Sequence, residues 1–150
     1  MDKSKIKFGL LRSKKDPNEK LVCFNYEQID MPIKFSLKDK VKQVYNQGEA
    51  NSCSANSTAN ALQMSDIRNC IHSPISRLYL YFCTRYLDNN KMLPITDSGA
   101  TLKAVFDALI SYHTIPEVNY AYNREKINNV PPQHIFMEAI NKKSKSYYII

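Results

Sequence analysis

Val44-Tyr45-Asn46-Gln47-Gly48-Glu49-Ala50-Asn51-Ser52-Cys53-Ser54-Ala55-Asn56 is the stretch that decides how this chain is read. A Gln-Gly turn leads into a short polar loop, and Ser52-Cys53 then opens an alanine-rich segment with helical spacing at Ala55, Ala59 and Leu62. Either Asn51 or Ser52 has the chemistry of a helix cap. The pattern predicts that Cys53 lies in the first turn of a helix, where unpaired backbone N–H groups and the helix dipole favour a thiolate. Gln47, six residues upstream, is placed to fold back and offer its amide to an oxyanion forming beside the sulfur.

Outward from that stretch, Met31-Pro32-Ile33-Lys34-Phe35-Ser36-Leu37-Lys38 reads as an extended entry segment. Residues 1–30 mix charge with isolated apolar pairs and read as a basic N-terminal arm with one short strand near Leu21-Val22-Cys23-Phe24. Downstream, Ser73 as cap and Pro74 at the first helical position predict a second helix carrying Ile75, Leu78, Tyr79, Phe82 and Tyr86 on one face. Asp88-Asn89-Asn90-Lys91 ends it. A third helix is expected from Asp97-Ser98-Gly99, with Leu102, Val105, Phe106, Leu109 and Ile110 in register. A weaker fourth starts at Pro131-Pro132 and carries Ile135, Phe136, Ala139 and Ile140. Ser146-Tyr147-Tyr148-Ile149-Ile150 has the composition of a strand.

The 150 residues, 43% of them hydrophobic, suit one domain with a real core. No run approaches the roughly 18 apolar residues that a membrane span needs. Met1-Asp2-Lys3-Ser4-Lys5-Ile6-Lys7 has basic residues but neither the apolar core nor the small-residue site of a signal peptide, which predicts an intracellular, cytoplasmic chain, or a virion protein if the source is viral. Cys23, Cys53, Cys70 and Cys83 form no CxxC pair, so free thiols are expected and no metal or other cofactor is indicated. The net charge of +7 comes from 21 Lys and Arg against 14 Asp and Glu, and much of the excess lies in the arm and in Asn141-Lys142-Lys143-Ser144-Lys145. The lysines are scattered and not interleaved with aromatics, which argues for a solvated basic surface over a nucleic-acid site.

The Gln47–Cys53 run resembles the papain-like cysteine peptidases, whose motif reads Gln-Gly-x-Cys-Gly-Ser-Cys-Trp. The stretch from Met31 to Tyr122 is similar to their intracellular, disulfide-poor branch in bacteria and large DNA viruses. Pro74-Ile75-Ser76-Arg77-Leu78-Tyr79-Leu80-Tyr81 answers that branch's Pro-Ser-Arg-Leu-x-x-Tyr-Tyr helix. Asp97-Ser98-Gly99-Ala100 answers its Asp-Ser-Gly-Ala segment, and Pro116-Glu117-Val118-Asn119-Tyr120-Ala121-Tyr122 its Pro-Glu-x-x-x-Pro-Tyr turn.

The resemblance implies an α+β papain-like fold, represented by its mostly helical N-terminal half over residues 31–150 and truncated before the β-barrel half. It implies Cys53 as the nucleophile, with Gln47 and the Cys53 backbone N–H as the oxyanion hole. Ser98 and Gly99 would line the track of a peptide or protein substrate. Asn51 stands where the family has glycine, and a left-handed backbone there is the expected accommodation. Ser54 replaces Trp or Thr, and Ala50 replaces an upstream cysteine.

The family's His and Asn lie roughly 130–150 residues beyond the cysteine, past about position 183 here. His72, His113 and His134 lie in other contexts, a loop and two helix ends, and are read as local structure. The implied activity is thiol-dependent hydrolysis of peptide bonds, with the His and Asn supplied from outside these 150 residues or by a separate chain. A non-catalytic relative acting as a binding or structural protein is the alternative, followed by a basic nucleic-acid-associated protein.

Overall fold

The computed structural model describes residues 9–14, 32–41, 43–66 and 74–141. In chain order the elements are strand β1 (Leu10–Leu11), helices α1 (Cys53–Asp66) and α2 (Arg77–Asp88), strand β2 (Ala100–Thr101), and helices α3 (Leu102–Tyr112) and α4 (Gln133–Asn141). Single 3-10 turns lie at Lys38–Lys40 and Arg124–Lys126. The strand expected at 21–24, the terminal strand at 146–150, His72, Ser73, Cys23 and Cys70 all lie outside the described residues.

α2 is the central helix. It packs against both α3 and α1, α1 also meets α3, and α4 lies against α3. Eight consecutive residues of α2, Leu78 to Arg85, are buried, so it is covered on nearly every side. Leu78, Leu80 and Phe82 each lose almost all their exposure, a gain of roughly 1.5–3 kcal/mol per side chain. Tyr79, Phe82 and Phe136 meet edge to face with ring centroids 5.5–6.0 Å apart, which seats α4 on α2. On α1, Ala55 and Ala59 are fully buried, and their small side chains let α1 lie close to its neighbours.

Helix starts depart from expectation, for local reasons. α2 begins at Arg77 and not at Pro74, and its cap is Ser76, whose Oγ accepts from the Tyr79 N–H at 3.1 Å. Pro74 to Ser76 are held extended, because the Ser76 N–H donates to the Ile115 carbonyl and the Glu117 N–H to the Pro74 carbonyl. Likewise α3 begins at Leu102, not at Asp97. Gly99 has φ +84°, Ala100 and Thr101 form β2, and Thr101 Oγ1 accepts from the Ala104 N–H. The α3 core face is Ala104, Val105, Ala108 and Leu109, so Leu102 and Ile110 turn outward. On α4, Ile135 and Ala139 are buried while Ile140 is exposed. α2 ends as its sequence indicated, with Asn89 as C-cap and left-handed Asn90 and Lys91 behind it.

Among the described residues Arg85 is the largest fully buried side chain, 2% exposed. Its guanidinium donates to the Tyr81, Thr96 and Ile127 carbonyls and to Asn128 Oδ1, and it lies over the Tyr81 ring. Burial pulls its pKa down from the ordinary arginine value, against the nearby Tyr81 and Asp97. A cation in this position ties α2 to the chain on both sides of the Gly99 segment.

Candidate active site

Cys53 is the first residue of α1 and is half-buried. The loop that delivers it is held from three directions. From one side, the Gln47 Nε2 amide donates to the Ala50 carbonyl at 2.9 Å, so the glutamine side chain turns toward the Ala50–Cys53 loop. Gly48 makes that turn with φ +63° and open space around it, and its N–H donates to Asn46 Oδ1.

From a second side, the Asp97 carboxylate accepts the Asn51 N–H at 3.0 and 3.1 Å, and Asn51 Nδ2 donates to the Asp97 carbonyl at 2.6 Å. This accounts for asparagine where the family has glycine, and it corrects the expected left-handed backbone. Among the described non-glycine residues, positive φ occurs at Asn90, Lys91 and His113. Asn51 earns its place through its side chain, not through φ tolerance. Asp97 also accepts from the Tyr81 hydroxyl at 2.7 Å, and that hydroxyl in turn accepts the Gly99 N–H at 3.1 Å. One carboxylate and one phenol therefore set Gly99 relative to the loop before Cys53. Burial, reinforced by Asp97, raises the Tyr81 pKa, so the phenol keeps the proton this relay requires. Ser98 is exposed at the outer side of the same segment.

The third support lies beneath. The Tyr122 hydroxyl donates to the Gln47 carbonyl at 3.0 Å and sits 2.7 Å from Ser52 Oγ. Asn56 Nδ2 donates to both the Ser52 carbonyl and Ser52 Oγ. Arg77 donates through Nη1 to Asn56 Oδ1 and through Nη2 to Glu117 Oε1 at 2.7 Å. Its guanidinium is sandwiched between the Tyr45 and Tyr122 rings, 4.3 and 4.4 Å from their centroids. Glu117 closes the set by accepting the backbone N–H groups of Arg77 and Tyr122. Burial raises the Tyr122 pKa.

The sequence motifs around Arg77, Glu117 and Tyr122 marked the resemblance without assigning these residues a task. Their task is to carry the Ser52–Cys53 loop. A signal was present in the sequence, since an Arg-Leu pair at a helix start and a Pro-Glu turn far downstream supply one cation and one anion, which the fold brings together in a partly buried pair.

The two described cysteines differ sharply. Cys83 is 1% exposed in the core of α2, and burial pushes its thiol pKa up to about 12. That leaves it protonated and inert at neutral pH. Of the histidines, His113 is the C-cap of α3 and His134 is an exposed residue in the first turn of α4. Among the described residues no cluster of His, Cys, Asp and Glu could hold a metal ion, and no helix is long and apolar enough to cross a membrane.

No protein-family model matches the chain, and no curated protein matches it. Among solved structures it is similar to xylellain, a cysteine protease from Xylella fastidiosa, with a TM-score of 0.65 and 22% sequence identity. The match covers 89% of this chain and 55% of xylellain, so the chain spans little more than half the length of the solved protein. At that identity the likeness speaks to fold alone, and the fold is α+β, mostly helical with a small sheet. Over most of its length, this chain adopts the fold of a papain-like cysteine peptidase.

Proposed function

We propose that this chain supplies the nucleophile side of a thiol-dependent peptidase. Cys53 attacks a peptide carbonyl, and Gln47 together with the Cys53 backbone N–H receives the oxyanion. The Gly99 segment, with Ser98 at its edge, carries the substrate backbone in extended form. The observation that supports this best is the set of contacts made by the loop that leads into Cys53. A half-exposed cysteine opens a helix, the Gln47 amide turns to the carbonyl of Ala50 in the same loop, and Asp97 couples that loop to Gly99.

The proposal assigns the imidazole and its asparagine partner to residues beyond these 150. Spanning 55% of a solved cysteine protease is consistent with that division. The hydrolysis needs that imidazole twice, to take the thiol proton and to give it to the leaving amine.

A peptide aldehyde tests the part this chain carries. Cys53 Sγ would add to the aldehyde carbon and the oxygen would take up the thiol proton, giving a hemithioacetal without a leaving group. A carbon-13 label on the aldehyde should report an adduct that Cys53→Ser abolishes and Gln47→Ala weakens at least tenfold. An adduct that persists in Cys53→Ser, or one indifferent to Gln47, would refute the assignment.

A further inference from the structure

Asn56 stands in the first turn of α1, 6% exposed, with both polar atoms of its side chain committed. Its Oδ1 accepts from Arg77 Nη1 at 3.0 Å. A guanidinium can only donate, so this contact fixes which end of the carboxamide is oxygen. Nδ2 therefore faces Ser52, and donates to the Ser52 carbonyl at 2.8 Å and to Ser52 Oγ at 3.0 Å. The Asn56 backbone N–H adds a second donor to the same carbonyl, also at 3.0 Å.

The far end of the network fixes the remaining protons. The Gln47 carbonyl can only accept, so the Tyr122 hydroxyl commits its single proton there. Ser52 Oγ, 2.7 Å from the Tyr122 oxygen, must then be the donor in that contact. Donation thus runs one way, from Arg77 to Asn56, on to Ser52, then to Tyr122 and finally to Gln47. Hydrogen bonds aligned head to tail in this manner polarise and strengthen one another. Burial raises the Tyr122 pKa, so the phenol keeps the closing proton at neutral pH.

The two donors assigned to the oxyanion both hang from this chain. The Ser52 carbonyl and the Cys53 N–H belong to one planar trans peptide, in which C=O and N–H point in opposite directions. Two Asn56 donors draw the carbonyl into the helix, which aims the Cys53 N–H out of its N-terminal end. The Tyr122 hydroxyl meanwhile pins the backbone of Gln47, whose side-chain amide is the other donor.

We propose that Asn56 and Tyr122 are the positioning residues of the oxyanion hole, Asn56 aiming the Cys53 N–H and Tyr122 holding Gln47 in register with it. This rests on the peptidase reading of Cys53 and Gln47 above. Each of the two acts through another residue.

The full 150-residue chain serves for the test. Tyr122→Phe removes one oxygen atom and keeps the ring that lies on Arg77, while Asn56→Ala removes the carboxamide. Each variant meets two probes of Cys53. The carbon-13 peptide aldehyde forms a hemithioacetal whose oxygen calls on the hole. Iodoacetamide loses iodide from a saturated carbon and forms no oxyanion. Both variants should weaken the aldehyde adduct at least about tenfold and leave the alkylation rate within about twofold of the parent. In a Gln47→Ala background Tyr122→Phe should weaken the adduct no further, because it acts through Gln47. Asn56→Ala should still weaken it there, because it acts through Cys53.

An undiminished adduct in Tyr122→Phe would overturn the proposal. So would a loss of adduct matched by an equal loss of alkylation, which would make the network a support for the loop and no more. Full additivity of Tyr122→Phe with Gln47→Ala would overturn it as well. Should Asn56→Ala fail to fold, Tyr122→Phe decides alone. Gln47→Ala by itself reports on the peptidase reading. If it leaves the adduct unchanged, that reading fails and this proposal with it. If it weakens the adduct while Tyr122→Phe does not, only the proposal fails.

Discussion

Arg77→Met puts the support beneath the nucleophile loop to the test. The substitution keeps most of the aliphatic stem, so little volume is lost, but it removes the cation. Glu117 then holds a carboxylate at a side-chain exposure of 16% with its 2.7 Å partner gone. Removing one partner of a fully buried ion pair costs about 3–5 kcal/mol, and this pair, being only partly buried, starts below that. Two donors survive at Glu117, the backbone N–H groups of Arg77 and Tyr122 at 2.9 and 3.0 Å, which lowers the expectation further. Against this, the Tyr45 and Tyr122 rings lose the guanidinium between them, about 0.5–1 kcal/mol for each face, and Asn56 Oδ1 loses a donor.

The expected loss is therefore about 3–4 kcal/mol, a large share of the roughly 5–15 kcal/mol typical of a domain. Urea unfolding should show it as a lower midpoint with an unchanged slope. The double variant Arg77→Met/Glu117→Gln removes both charges and should be less destabilised than the sum of the single changes by at least about 1 kcal/mol. A single variant within about 1 kcal/mol of the parent, or a strictly additive cycle, would refute the account of Arg77 and Glu117 as a coupled, partly buried pair.

Other outcomes follow from the same geometry. Gly48→Ala should cost only the left-handed backbone penalty, about 1–2 kcal/mol, because φ is +63° and nothing lies near the added methyl. Gly99→Ala, with φ +84° and the Gly9 carbonyl in the way, should cost more than Gly48→Ala in urea unfolding and also speed exchange at Ala100. Mass-mapped alkylation of the native chain at neutral pH should modify Cys53 and spare Cys83 until the protein unfolds. Stability should fall as pH rises above about 8.5, where an unfolded thiol begins to ionise, because the folded Cys83 holds its proton up to about 12. The buried Tyr79 and Tyr81 phenols, whose pKa values burial also raises, push in the same direction at higher pH. Urea midpoints between pH 7 and 10.5 check this, and Cys83→Ala should flatten the onset. Asp97→Ala should release the Asn51 amide to fast exchange and weaken the peptide-aldehyde adduct without altering alkylation of Cys53 by iodoacetamide.

Local chemistry was legible where it is local in space. The start of α1 at Cys53 and the end of α2 at Asn89 depend on residues within one turn, and both stand where the sequence placed them. The same holds for the alanine face of α1 and for the buried Leu78, Tyr79 and Phe82 on α2. The family resemblance, carried by four ordered motifs, led to the fold that the solved cysteine protease shares. What sequence could not fix was anything decided by a partner distant along the chain. Pro74 has the form of a helix start, yet Ile115 and Glu117 hold it extended, and only folding brings those residues to its side. Gly99 invites a helix directly after it, yet a strand from residue 10 keeps Ala100 and Thr101 extended. Asn51 suggested backbone tolerance, but Asp97, 46 residues away, shows it to be a hydrogen-bonding residue. The sequence by itself determined which residues could do chemistry and roughly which helices would carry them. The tertiary structure decided how Arg77, Glu117 and Tyr122 hold Cys53 up, and what lies across Gly99, because hydrogen bonds and buried charges choose partners by distance in space and not by separation along the chain.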